Sequence, residues 1–490
     1  MSQLLTLSRA SRLIGVTRGA LQKRIKNGEL SSFDGMVSTV DLVAAYPDMQ
    51  FEEDLVFERI MQIKDEAFAK RIRERVLPDK EVLAARLYEQ SRELANFRTH
   101  LQRYHSIVVQ MQDRLREIER TGECIPHPEM LALTGWLNQQ LEEVLDTKPP
   151  DNLAVMDDYL RVVSAHVVLQ PSRHEFFVDG VDTILEAGLR AGLALNYGCS
   201  NGNCGLCKAR VVSGQIKKVR HHDYILSESE KNMGYALMCS HTAVSDLVVE
   251  ALEALRPGDI PEQEIHARVK NLEPMTDKVM RLHLQTPRTN RLRFFAGQSV
   301  TLSAGEAALA DYAVASCPCD DRNLEFHIRN IPGDNFAQRV FSGLKKGDAV
   351  TVQGPKGTFV LNDDSALSPV FIACNSGFAP IKSLIEHTMA LDGSDTISLY
   401  WLATYPTGHY QSNLCRSWAD ALDNFNYNEL SASELNEENI SQVMQRIEDN
   451  HPDLKGMEVY IAGPDIFVSQ AREWLLQRGF PEMQLASAVI

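Results

Sequence analysis

The chain has 490 residues, 44% hydrophobic and 24% charged, a globular composition rather than a disordered or fibrous one, and at about 150 residues per domain it holds three or four domains. Fifty basic against 66 acidic side chains leave a net charge of −16, which excludes a general coat for nucleic acid. No apolar run reaches the ~20 residues of a bilayer span and Met1 opens no charged-then-apolar leader, so a cytoplasmic protein is expected.

The first 120 residues carry 20 basic and 18 acidic side chains, the remainder 30 and 48, so the two parts are expected to do different work. In residues 1–50, Ser8 is placed to cap a short helix ending near Ile14 and Gly15 to turn the chain. Thr17 is placed to cap a second helix carrying Arg18, Lys23, Arg24 and Lys26, which Gly28 stops. The stretch resembles the winged helix-turn-helix of the MerR and excisionase type, with Ser31 to Ser38 in the place of the wing. Two uses stay open, DNA contact and protein docking; the acidity of the whole chain favours docking.

Residues 51–120 are read as helical, ending in a coiled-coil seam. Leu83, Leu87, Gln90, Leu94, Phe97, Leu101, Tyr104, Val108, Met111, Leu115 and Ile118 recur at alternating spacings of four and three. At 1.5 Å per residue that helix is roughly 54 Å long. Its stripe suits a homodimer through residues 83–118, the favoured reading, or a hairpin against a helix over 52–76 folded back at Leu77-Pro78-Asp79. Residues 121–164 form a helical connector between proline-containing linkers at Gly122–Pro128 and Lys148–Asn152.

Nine cysteines, an odd number with four of them between Cys199 and Cys239, suit a metal site better than a disulfide framework. Cys199, Cys204 and Cys207 fall at C-x4-C-x2-C, and Cys239 follows after 31 residues. This is the plant-type spacing for a [2Fe-2S] cluster. The wrapping loop is expected to need Gly198, Gly202 and Gly205 for conformations that side chains forbid. The competing reading is structural zinc, which generally uses two paired knuckles, and the second pair is absent. The flanks read strand, turn, strand, helix, and residues 165–256 resemble the β-grasp [2Fe-2S] ferredoxins. Cys317 and Cys319, two ligands alone, are read as no metal site, His221 and His222 as solvated, and Cys124, Cys374 and Cys415 as free thiols.

The strand-rich run of 257–362 and the alternating strands and helices of 363–490 resemble the flavin barrel and nucleotide domain of the ferredoxin–NAD(P)H reductase family. The order resembles the reductase components of multicomponent oxygenases and the deoxysugar reductases. The whole is therefore expected to be multidomain α+β and α/β: helix-turn-helix and coiled-coil helix, β-grasp ferredoxin, antiparallel FAD-binding β-barrel and Rossmann-like nucleotide domain.

What the resemblance implies for sites is mixed. The family's R-x-Y-[ST] flavin motif falls on Ala310, Asp311, Tyr312 and Ala313, so only the ring-stacking tyrosine remains. Val314 follows it, and the resemblance also implicates His327, Ile328 and Arg329 in cofactor binding, with Arg329 a candidate substitute for the missing phosphate partner. The family's pyrophosphate turn falls on Gly333 to Ala337, implicating Asn335, Phe336 and Ala337, with alanine at the hydroxyl position. The nucleotide loop falls on Cys374 to Pro380, where Ser376 keeps a hydroxyl, Gly377 allows close approach and Pro380 suits a first helical turn. Gly463 and Pro464 match the family's C-G-P, its cysteine replaced by Ala462; Thr404 stands for an arginine, and the chain ends QLASAVI instead of an aromatic or acidic residue.

The resemblance thus implies a [2Fe-2S] cluster, FAD, and NADH or NADPH, with hydride passing from nicotinamide to flavin and single electrons through the cluster to a protein acceptor, an oxygenase or hydroxylase component. No catalytic side chain is singled out. The alternative is a redox-sensing DNA-binding regulator with a degraded reductase module, and for the barrel alone the competing reading is a scaffold that has lost its cofactor.

Overall fold

A computed structural model describes residues 4–46 apart from 15, 17 and 33–35, residues 80–120, 135, 136 and 139, and residues 160–490 apart from 181, 306–308, 363–364, 366, 392–393 and 395. The helix expected over 52–76, both linkers, most of the connector, Thr17 and Cys124 lie outside the described residues.

At the amino end β1 (Leu4–Thr6) pairs antiparallel with β2 (Met36–Ser38). Helices α1 (Leu7–Ile14), α2 (Arg18–Lys26) and α3 (Thr39–Ala45) close a small core around Leu21, Val37 and Leu42. Ser8 is not the cap: α1 starts one residue earlier, and the Ser8 carbonyl accepts the Ser11 hydroxyl at 2.9 Å. Gly28, at φ +74°, ends α2. The face of α1 turns inward, where Arg9 meets Asp246 at 2.8 Å and Arg12 pairs with Asp179 over the Phe177 ring.

One long helix follows, α4 (Lys80–Arg120), 41 residues. Its start is anchored by Arg86, 1% exposed, which donates to the carbonyls of Val162, Val163, Val178 and Ala243 at 2.6–3.3 Å. Burial lowers its pKa to about 10. Further along, Leu94, Phe97, Leu101, Tyr104 and Met111 stand exposed.

The next sheet runs in the order β4-β3-β9-β5-β7, from β3 (Ser164–Gln170), β4 (Glu175–Asp179), β5 (Lys208–Ser213), β7 (Tyr235–Leu237) and β9 (Leu247–Glu250). A side pair joins β6 (Ile216–Lys218) to β8 (His241–Ala243). Helix α5 (Ile184–Arg190) lies across the sheet, started by a reciprocal cap in which Thr183 and Glu186 satisfy each other's amides. A shorter helix, α6 (Glu228–Asn232), precedes β7.

Six antiparallel strands come next in the order β13-β12-β15-β10-β11-β14. They are β10 (Gln263–Pro274), β11 (Val279–Gln285), β12 (Ser299–Ser303), β13 (Leu309–Ala313), β14 (Asn323–Arg329) and β15 (Ala349–Lys356), with α7 (Asn335–Ser342) between the last two. Along β10, buried and exposed residues alternate, as a sheet packed on one face requires. The Ala315 amide, just past β13, donates to the Glu325 carbonyl of β14 at 2.8 Å and joins the two edges into a barrel.

The last sheet is parallel, in the order β18-β17-β16-β19-β20. It comprises β16 (Ser368–Cys374), β17 (Ile397–Ala403), β18 (Phe425–Ser431), β19 (Met457–Gly463) and β20 (Leu485–Val489). Helices α8 (Phe378–Leu391), α9 (Ser412–Ala421), α10 (Glu437–Asn450) and α11 (Asp465–Gln477) alternate with the strands. Every residue of β17 is buried, as expected for a strand covered on both faces. The carboxyl-terminal QLASAVI, read only as a departure, supplies β20, and the Ile490 amide bonds the Gly463 carbonyl. Among the described residues no helix is long and apolar enough to cross a membrane.

Candidate functional site

Between α5 and β5 the chain coils from Gly198 to Cys207 around its own sulfurs. The Cys199 Sγ accepts the amides of Asn203 and Cys204 at 3.3 Å, and the Cys204 Sγ accepts that of Cys199 at 3.4 Å. From the strand side, Cys207 and Cys239 bring their sulfurs to 3.1 Å. Among the described residues no three or more His, Cys, Asp or Glu side chains are arranged for a single metal ion. The four sulfurs lie two and two, an arrangement that fits a pair of irons. Amide donation favours thiolate. Burial would raise the Cys199 thiol, but the surrounding amides hold it below its ordinary value; the hydrogen bond from Cys207 brings Cys239 down to about 6.

The loop's glycines act in two ways. Gly202 and Gly205 have φ of +88° and +76°, and a Cβ there would lie 2.5 Å from the Cβ of His222 and 2.3 Å from the Tyr224 ring. Gly198 has no such backbone; it makes room for Leu206 and the Cys204 sulfur. His222, read as solvated, thus packs on the cluster loop, while His221 is exposed. Cys199, Cys207 and Cys239 are buried, and Cys204 is the most open of the four.

The loop is fastened to the barrel by residues the sequence reading did not single out. Arg291 donates its amide to the Gly198 carbonyl at 3.1 Å, Arg293 reaches the Asn196 amide oxygen at 2.6 Å, and Tyr197 donates to Asp321 at 2.8 Å. Burial raises the Asp321 carboxyl.

On the barrel, Tyr312 stands on β13 with its ring 5.5 Å from that of Phe336. Its hydroxyl donates to Asp334, and the same carboxylate caps α7 by accepting the Ala337 amide at 2.8 Å. The phosphate side of the flavin turn therefore already holds a carboxylate. The pattern Gly-Asp-Asn ahead of a helix is a capping signal that would have revealed it. Asp311, pointing to the opposite face from Tyr312, takes Thr301 and Lys356, so the nearby cation is engaged there. Val314, Ile328, Phe336 and Ala337 are in the barrel core and offer a ligand only backbone. Ala313 is buried, Asn335 begins α7, and Arg329 ends β14 near Cys374 and Tyr405, whose ionisations feel its charge. The residues present fit a flavin at the ring through Tyr312; at the phosphate they fit it poorly.

Glu325 and His327 project from β14 toward the nucleotide domain. His327 binds Glu325 at 2.8 Å and the Tyr410 hydroxyl at 3.0 Å; Lys382 of α8 lies 3.5 Å from Glu325 and 2.8 Å from Glu386, and donates to the Ala315 carbonyl. Burial alone would raise the Glu325 carboxyl, but Lys382, with hydrogen bonds from His283 and His327, holds it well below the usual range. Burial keeps His327 below its ordinary value. Phe378 stacks on Trp401 at 3.9 Å beside this network.

The nucleotide loop is tied inward. Asn375, at φ +50°, accepts the Thr404 amide and donates to its hydroxyl at 3.0 Å, so Thr404 fixes the loop to β17. Ser376 and Pro380 are buried. Gly377 is required by packing: a Cβ there would lie 2.1 Å from the Ala462 carbonyl oxygen, and one at Gly463 would meet Cys374. Pro464 precedes α11 and accepts the amides of Phe467 and Val468. Burial raises the Cys374 thiol to about 12 and Cys415 further. Cys319 donates its amide to the Cys317 sulfur.

Three domain families match in succession. The 2Fe-2S iron-sulfur cluster binding domain covers residues 167–244, the oxidoreductase FAD-binding domain 266–361 and the oxidoreductase NAD-binding domain 371–473. The chain is similar to the CDP-6-deoxy-L-threo-D-glycero-4-hexulose-3-dehydrase reductase of Yersinia pestis, 28% identical over 66% of this chain and 98% of the relative. It is likewise similar to the reductase component of propane 2-monooxygenase from Rhodococcus jostii, 28% identical over 64% and 88%, and to terephthalate 1,2-dioxygenase reductase component 2 from a Comamonas species, 29% identical over 50% and 72%. Fold, sulfur site and these matches support the ferredoxin reductase family. The chain is an NAD(P)H-dependent electron-transfer reductase with 2Fe-2S, FAD and NAD domains in series.

Proposed function

We propose that Cys199 and Cys204 hold one iron, Cys207 and Cys239 the other, and that the reduced cluster serves a separate protein, an oxygenase component of the kind named with the monooxygenase and dioxygenase relatives. In this reading residues 165–256 carry the cluster, 257–362 the flavin and 363–490 the nicotinamide. When bound, FAD supplies conversion of a two-electron hydride into single electrons. The chain's residues position that chemistry: Tyr312 offers the ring contact, Arg291, Arg293 and Tyr197 hold the cluster loop on the barrel, and Glu325, His327 and Lys382 lock the nucleotide domain against it.

The observation that carries this reading is the two-and-two sulfur arrangement in a loop clamped to the barrel. Its test is NAD(P)H-driven reduction of cytochrome c, a one-electron acceptor, against ferricyanide reduction. Cys204→Ser should lose the former and keep the latter; unchanged cytochrome c reduction in a variant proven free of iron and sulfide would refute it.

The protein is further read as cytoplasmic and as a homodimer through residues 83–118. Residues 1–50 are read as a docking module: Arg9 and Arg12 are engaged within the chain, and Arg24 is held by the Ala45 carbonyl and the Tyr46 ring.

A further inference from the structure

We propose that α4 pairs with α4 of a second copy of this chain in a parallel, in-register, two-stranded coil. The proposal deepens the dimer reading and rests on it. The first turns of α4 already have a partner, for Val82, Arg86 and Glu89 are buried. Beyond them the opposite situation holds: Leu94, Phe97, Leu101, Tyr104 and Met111 are each 53–66% exposed. Their spacings of three and four keep one stripe in line only if two helices wind around each other with left-handed supercoiling. A second copy supplies an identical stripe, and a twofold axis along the seam brings each layer against itself.

The orientation follows from charge. Glu93 stands just before the seam residue Leu94, and Arg98 just after Phe97, on the two tracks that flank a coiled-coil seam. Neither has an ion-pair partner in its own chain among the described residues. In a parallel pair in register, Glu93 of one copy meets Arg98 of the other, twice by symmetry. An antiparallel pair places like tracks together, so these two residues never meet. The next residue on the Glu93 track, seven positions on, is His100, which adds no fixed opposing charge.

Sedimentation equilibrium of the full holoprotein tests this, comparing the parent with Glu93→Lys, Arg98→Glu and the double reversal, both positions being exposed. The expected result is a dimer, about fivefold weaker in each single reversal, since two exposed pairs are lost together and each contributes little, and restored in the double. NAD(P)H–ferricyanide activity should be unchanged in all four. A dimer whose single reversals are not rescued by the double overturns the parallel register and leaves the dimer standing. A monomeric parent overturns both readings, and a trimer overturns the two-stranded coil.

Discussion

Asp334 stands where the flavin phosphate is expected, and its carboxylate satisfies both the Ala337 amide and the Tyr312 hydroxyl. Asp334→Asn keeps the Ala337 amide on its oxygen and turns the Tyr312 hydroxyl into an acceptor for its own amide, while removing the charge, and should tighten FAD binding several-fold. Ala310→Arg, which restores a charged phosphate partner worth about 1.5–3 kcal/mol, should tighten it at least about tenfold. Titration of flavin-free protein reads both constants; no change in either would mean that the phosphate lies elsewhere. The substitutions at Ala310 and Ala313 were legible in the sequence because they interrupt a short motif. The occupied cap was not, because it depends on where α7 begins and on which face of β13 carries Tyr312.

At the scale of elements, β14 and α8 meet through Glu325, His327 and Lys382. Both Glu325 and His327 have lowered pKa values in the fold. The unfolded chain therefore takes up protons first, and the stability these groups supply is complete above about pH 6.5 and is lost as pH falls through their lowered values. The melting temperature should fall from pH 6.5 to pH 4 more steeply in the parent than in Glu325→Gln; equal slopes would contradict this. Lys382→Met leaves two buried carboxylates without their shared cation and should cost about 3–5 kcal/mol in denaturant unfolding. Arg86→Met strands four carbonyls, each about 1–3 kcal/mol, so limited proteolysis should release α4 from the cluster domain far faster than in the parent. Strand and helix periodicity made the main layers readable, since β17 and the α4 stripe announce themselves by composition. Interfaces such as Arg86 on Ala243 join residues 157 apart, and no local pattern encodes them.

In the whole molecule, three redox domains follow one another along the chain, and the first also meets the third, where Gly192 packs against His387 and Leu391 of α8. The cluster loop rests on the barrel through Arg291 and Arg293, and the barrel rests on the nucleotide domain through Lys382. Cysteine spacing alone made the cluster legible, because four thiolates around two irons tolerate few spacings. The clamp was not legible, since Tyr197 and Asp321 are 124 residues apart. The most direct test is an anaerobic titration of holoprotein with NADH and with NADPH, followed by visible absorbance and electron paramagnetic resonance. At least one nucleotide should bleach the flavin and then give the signal of a singly reduced two-iron centre. A cluster that dithionite reduces but neither nucleotide does, with flavin bound, would contradict the account.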